Sequence, residues 1–234
     1  MFENILASEN SIRLSFFIAG LVGFSLLGAI LPFRRKSQND LKRWIYNVAL
    51  GVINTGVLRL IFPTTIVAVA MKLQTLEWGL FYALDLPIWL NILLTVILLD
   101  GFIYGQHIAV HHIPALWRLH RVHHSDTSFD TSTALRFHPI EILFSYAIKI
   151  ILVSLLGAHF VGVIIFEVIL NFSAMFNHAN FTLPKSIESL LKKAIVTPDM
   201  HRIHHSPVVK ETNSNYGFCL SIWDHLFGTY VDLP

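Results

Sequence analysis

The sequence predicts an all-α integral membrane protein: four to five transmembrane helices and a cytoplasmic helical cap that holds a polyhistidine dimetal site. Three observations lead there. The 234 residues are 54% hydrophobic and only 14% charged, with a mean hydropathy of +0.59, too apolar for an ordinary soluble domain. Several apolar runs are long enough to cross a bilayer. Thirteen histidines are unevenly placed, none before His107, and eight of them fall in three clusters. These are His107-x-x-x-His111, His120-x-x-His123-His124 and His201-x-x-His204-His205.

Ser15 to Phe33 forms the first span. Its start is acidic (Glu3, Glu9), and the run is too long for the apolar core of a cleavable signal peptide. Arg34, Arg35, Lys36, Lys42 and Arg43 follow, so the positive-inside rule makes this loop cytoplasmic and the N-terminus external. A second stretch, Trp44 to Met71, contains Arg59 and is expected to kink or break near Pro63. A third, Leu86 to Tyr104, ends at Asp100 and the first histidines, which returns the chain to the cytoplasmic face at His107. A polar, histidine-rich segment occupies 106–138. Runs 140–157 and 160–177 are joined at Gly157-Ala158, a link that allows only a tight hairpin. Both ends of the hairpin lie on one side, so His178 and the last cluster also return to the cytoplasmic face. After Pro184 the apolar runs are too short for another span, and a helical cap is expected. The whole chain, 1–234, reads as one domain: membrane spans over 1–95 and a histidine-bearing catalytic region over 96–230.

Charges inside spans face the bundle interior and pair. Lys149 and Glu167 each lie nine residues from Ala158, so they sit at similar depth on antiparallel helices and are expected to form a structural ion pair. Arg59 is expected to snorkel or to find a backbone partner near Pro63.

On a helix, positions i, i+3 and i+4 share a face, so each H-x-x-H-H triplet is expected to aim three imidazoles at one point. Imidazole suits zinc, copper, iron and nickel. His138, in Arg136-Phe137-His138-Pro139, and His178, in Asn177-His178-Ala179-Asn180, extend the candidate ligands to ten, which fits two metals with open positions. His112 points about 100° away from His111, His159 lies at the far end of the hairpin, and His225 sits near the C-terminus; none is read as a ligand. The single Cys219 excludes an internal disulfide and a cysteine-based zinc or iron–sulfur site. A net charge of +2 with no basic stripe gives no sign of nucleic-acid binding. A two-metal site beside a bilayer suggests oxygen chemistry on lipids, with iron as the metal. A membrane haem protein, or a metal-binding transport or electron-transfer protein without oxygenase activity, is the alternative, but haem proteins and transporters place ligands within spans. A zinc hydrolase would need a carboxylate inside the motif, as in H-E-x-x-H, and there is none.

The chain resembles the fatty acid hydroxylase/sterol desaturase superfamily, integral membrane di-iron oxygenases. The resemblance covers 95 to 230. It is carried by Asp100 before the first histidine pair, Leu116-Trp117-Arg118-Leu119-His120-Arg121-Val122-His123-His124-Ser125 and Arg136-Phe137-His138-Pro139. It continues through Pro198-Asp199-Met200-His201-Arg202-Ile203-His204-His205-Ser206, Asn215-Tyr216-Gly217 and Trp223-Asp224-His225-Leu226-Phe227-Gly228-Thr229-Tyr230. Two departures are His225, where a basic residue such as Arg is expected, and Gln106-His107-Ile108, where Trp and Arg often flank the histidine. The run Phe129 to His138 looks closest to bacterial members, which implies a bacterial inner membrane, and to the alkylglycerol monooxygenase branch.

The resemblance implies two iron ions held by these histidines, with O2 as co-substrate and no catalytic residue beyond the metal ligands. It implies hydroxylation or desaturation of an unactivated C–H bond in a fatty acyl, sterol, carotenoid or alkylglycerol lipid. Asp100, Asp126, Asp130, Asp199 and Asp224 are candidate acceptors for ligand N–H groups. The sequence has no G-x-G-x-x-G and no cysteine set, so electrons are expected from a separate donor, cytochrome b5-like or a ferredoxin and its reductase. Arg118, Arg121, Lys192, Lys193 and Arg202 are the candidate docking residues.

Overall fold

Prolines and glycines set where the helices stop, and those stops bring the histidines together. The computed structural model describes residues 2–35 and 40–233, with side chains from Ser8 onward. Lys36 and the Glu3 side chain therefore lie outside the described residues. In chain order the long helices are α1 (Phe2–Ile30), α2 (Asp40–Ile61), α3 (Ile66–Thr75), the short α4 (Leu80–Ala83) and α5 (Ile88–His112). Then come α6 (Pro114–His124), a 3-10 turn (Thr131–Leu135), α7 (Pro139–Leu156) and α8 (Phe160–Asn177). The cap is α9 (Lys185–Leu191), α10 (Pro198–His204), α11 (Val209–Thr212) and α12 (Ile222–Phe227).

Five segments are long and apolar enough to cross a membrane: Ser8–Ile30, Asp40–Ala83, Ile88–His112, Pro139–Leu156 and Phe160–Asn177. The second is broken as expected. α2 ends at Ile61, Pro63 sits in the gap, and the Thr65 hydroxyl caps α3 by accepting from Ala68 N at 3.0 Å. The third departs from expectation, because α5 does not end at Tyr104. It runs on to His112, so His107 and His111 belong to the span helix itself. Pro114 then restricts Ile113 to an extended conformation, which stops α5 and restarts the chain as α6 at a new angle. That corner folds His120, His123 and His124 back beside His107 and His111.

The hairpin forms as predicted. Gly157 ends α7 in a left-handed conformation (φ 66°), and a Cβ there would lie 2.4 Å from Trp78 O, so glycine is required on both counts. Asn91, early in α5, donates to Gly157 O and accepts from His159 N, which fixes the start of α5 against the hairpin. At the opposite end, Phe33 N donates to Asn180 O, which brings the end of α1 to the end of α8. Five crossings thus alternate in direction, and every histidine cluster lies at the end away from the hairpin. Ile66, Val67, Leu99, Val153, Val163 and Phe166 form the core between helices. Leu26, Val52, Leu60, Trp89 and Leu155 stay exposed on the perimeter, where a bilayer would solvate them.

Lys149 Nζ lies 2.5 Å from Glu167 Oε1, confirming the expected pair. Arg13 joins it, 3.1 Å from Glu167 Oε2 and 2.6 Å from Glu9. Among the described residues, Arg59 neither snorkels nor meets backbone near Pro63; it lines a cavity within the bundle beside this cluster.

Candidate metal centre

Nine histidines converge at one end of the bundle in two adjoining groups. The first holds His107 and His111 from α5, His120 and His124 from α6, and His204 from α10. The second holds His123, His178, His201 and His205. Seven are buried; His124 and His205 are half-buried.

The triplets do not each aim at one point. In both, the i and i+4 members share a group and the i+3 member goes to the other: His120 and His124 against His123, and His201 and His205 against His204. The cause is helical geometry. Positions i and i+4 are about 40° apart around the axis, whereas neighbours i+3 and i+4 diverge by about 100°. Each triplet therefore reaches both groups and holds them side by side, with His124 and His205 stacked at 4.3 Å across the boundary.

In the first group the hydrogen-bond partners fix which nitrogen points inward. His107 Nδ1 donates to Tyr216 O (2.7 Å), His204 Nδ1 to Ser214 O (2.8 Å) and His120 Nδ1 to Glu141 Oε1 (2.6 Å). His111 Nδ1 faces Asn213 Oδ1 at 3.4 Å. A proton on Nδ1 leaves a lone pair on Nε2. The Nε2 atoms of His107, His111, His120, His124 and His204 are all buried with no hydrogen-bond partner. In the second group His178 Nδ1 donates to Ala174 O, and its Nε2 lies 3.1 Å from those of His123 and His201 and 3.2 Å from that of His205. Nitrogens bound at about 2.1 Å to one ion stand roughly 3.0–3.4 Å apart. Inward lone pairs without donors in the first group, and Nε2 atoms at ligand spacing in the second, fit a pair of metal ions.

The electrostatics agree. Burial pushes His178 down to about 4 and holds His120, His123, His124, His201, His204 and His205 well below the usual imidazole range. These rings are neutral at pH 7, the form that binds metal.

His138 is not brought to either group. It caps α7, its Nδ1 accepting from Ile140 N at 3.1 Å. His112 donates to or accepts from the Tyr216 hydroxyl at 3.0 Å, and His225 meets Lys192 O, so both stay outside the groups as expected.

None of the five aspartates is hydrogen-bonded to a histidine. Asp100 accepts from Cys219 N, Leu220 N and Trp223 Nε1, and Asp224 from Tyr216 N, Gly217 N and Thr229. Together they pin the 214–220 loop, whose carbonyls orient His107 and His204. Gly217 is needed there, since a Cβ would lie 2.6 Å from Asp224 Oδ2. Asp126 and Asp130 bind Arg43, Asp130 caps the 3-10 turn while Asp126 accepts from the Thr133 hydroxyl, and Asp199 pairs with Arg202. The acceptor that sequence reasoning missed is Glu141. Its sequence signal is its place in the first turn of α7, two residues after Pro139. Phe137 stacks on His123 (4.3 Å, 9°), and Phe129 lies against His178 and His205.

Two cavities meet at the histidines. One, of about 740 Å³, runs inside the bundle and reaches His107, His120 and Glu141. The other is a groove on the cap that reaches His111, His124 and His205, with Trp117 beside them.

The fatty acid hydroxylase family model matches residues 92–229. The chain is 27% identical to an ornithine lipid hydroxylase of Rhizobium tropici over 216 residues, 90% of this chain and 64% of that protein. It is 30% identical to the alkylglycerol monooxygenase of Caenorhabditis elegans over 193 residues, 80% of this chain and 37% of that one. It is 24% identical to cholesterol 25-hydroxylase of Rattus norvegicus, over 100% of this chain and 83% of that enzyme. The chain thus spans less than two thirds of the first two relatives. No solved structure matches.

Proposed function

Because the chain belongs to the fatty acid hydroxylase family, we propose that it is a membrane-bound non-haem di-iron oxygenase acting on a lipid C–H bond with O2 and external electrons. The observation that carries this is the pair of all-imidazole groups, of which the five-histidine one has inward lone pairs and touches a cavity within the bundle. Clusters of five and four histidines argue against a haem, which takes one or two axial ligands.

Two irons bound there would supply O2 activation and C–H oxidation. The chain's residues would do the rest. Glu141, Tyr216 O and Ser214 O hold the imidazoles in one tautomer and orientation. Phe17, Leu21, Ile103, Val110 and Phe218 give the cavity an apolar wall that seats a hydrocarbon and excludes bulk water. The substrate would enter from the bilayer side, and electrons from the cap. Of the basic residues on the cap side, Lys192 pairs with Asp232 and Arg202 with Asp199, whereas Arg118, Arg121 and Lys193 remain exposed and would form the docking face for a donor. The histidine end is read as cytoplasmic because Arg34, Arg35, Lys42 and Arg43 lie at or beside it.

The test is 18O2 incorporation by iron-loaded membranes, supplied with reductant, into an alkylglycerol, a sterol, an ornithine lipid and a fatty acyl lipid. An 18O-labelled alcohol or a new alkene, absent with His204→Ala/His205→Ala, is expected. No product from any class by protein carrying two irons and reduced before O2 is admitted would overturn the reading.

A further inference from the structure

The bundle cavity is not a plain hydrocarbon channel. One end touches the histidines through His107, His120 and Glu141. The other is lined by Arg13, Arg59, Lys149 and Glu167. Lys149 lies eight residues beyond Glu141 on the same helix, which places the charged end about 12 Å deeper into the membrane-spanning part of the bundle.

The charges at that end do not cancel. Arg13 and Lys149 are engaged by Glu167, and Arg13 also by Glu9. Arg59 is a third cation and makes no ion pair with any described carboxylate, although its field reaches Glu167 and Tyr146. At this end, three cations against two carboxylates leave one positive charge unmatched. A guanidinium stays protonated there. Charges in such positions line cavities and mark binding sites. A bare hydrocarbon filling the cavity would strip water from Arg59 and give it no partner, whereas an oxyanion would satisfy both its charge and its planar fork of donors. The cavity also opens sideways: Val52, Thr55 and Gly56 line it from exposed positions on α2, and a Cβ on Gly56 would meet nothing.

We propose that the inner end of this cavity is an anion subsite, in which Arg59, flanked by Arg13 and Lys149, receives the carboxylate or phosphate of an amphiphilic lipid that enters from the bilayer. As a substrate subsite it rests on the oxygenase reading above, and it sets the oxidised carbon away from the anionic group, at the other end of the cavity.

Direct binding tests this without turnover. Protein in phosphatidylcholine nanodiscs is probed with radiolabelled myristate, competed by unlabelled myristate, tetradecyl phosphate or the neutral 1-tetradecanol, and the metal content of each sample is measured. Wild type should prefer one or both anions over the alcohol by about tenfold or more, and Arg59→Gln should lose most of that preference while keeping its metal. Equal binding of alcohol and anions by wild type overturns the subsite, even if the variant fails to fold. So does an undiminished preference in folded Arg59→Gln. An Arg59-dependent preference in protein that holds no iron would uphold the anion site and refute the oxygenase reading instead.

Discussion

Removing Glu141 should unseat one metal ion and spare the other. Glu141 is buried, accepts from His120 Nδ1 at 2.6 Å, and its second oxygen has no partner, so its contact with the protein's polar groups is this one bond. Losing the acceptor behind a metal-bound histidine weakens metal binding by about 10–100-fold, equivalent to roughly 1.4–2.8 kcal/mol. Glu141→Ala falls at the upper end, because it frees the His120 ring and leaves its N–H buried without a partner. Glu141→Gln keeps an acceptor oxygen for the His120 N–H, so the lower end, about tenfold, is expected. His120 belongs to the five-histidine group. Dialysis against a graded chelator series, read by elemental analysis, should show one ion released earlier in Glu141→Ala and the second released as in wild type. Identical release curves for wild type and Glu141→Ala would refute the role given to this carboxylate.

Three further outcomes follow from the same contacts. His138→Ala should keep both metals and lower stability by about 1 kcal/mol, a Tm shift of roughly 2–4 °C, because it loses only a helix cap, whereas His178→Ala should lose the ion of the four-histidine group; metal loss from His138→Ala would contradict the placement of that ring. Lys149→Met should destabilise by roughly 3 kcal/mol, since Glu167 keeps only Arg13, and Lys149→Met/Glu167→Leu should recover much of that in a thermal melt; an additive loss in the double variant would show that the two are not coupled. Asp224→Ala frees Tyr216 N and Gly217 N and slackens the loop carbonyls behind His107 and His204, so it should deplete the five-histidine group first and raise protease cleavage within 214–220; unchanged cleavage and metal content would contradict this.

The spans, the hairpin and the Lys149–Glu167 pair were legible in the sequence because each follows from a local rule: run length, a glycine stop, and equal spacing from a turn. The break at Pro63 was legible for the same reason. That the histidines would converge was legible from residue type and spacing, but the make-up of the two groups was not. Helix geometry parts His123 from His120 and His124, but which rings complete each group depends on where α10 and the end of α8 dock beside α6, which is set by tertiary packing. His138 shows the limit of motif proximity: its backbone position before Pro139 makes it a cap. The aspartates act at one remove, through a loop whose carbonyls carry the hydrogen bonds, and backbone carbonyls leave no mark on residue type. Arg59 read as an isolated intramembrane charge because its neighbours Arg13 and Glu167 are distant in sequence.

The account's central claim is two separate metal ions, each held by its own set of histidines, with His204 in one and its neighbour His205 in the other. The direct measurement is iron per chain in purified wild type, His204→Ala, His205→Ala and the double variant. Two, one, one and none are predicted, with the two single variants retaining spectroscopically different ions. A single iron or a haem in wild type, zinc in place of iron under iron-replete expression, or loss of both ions from either single variant would contradict it.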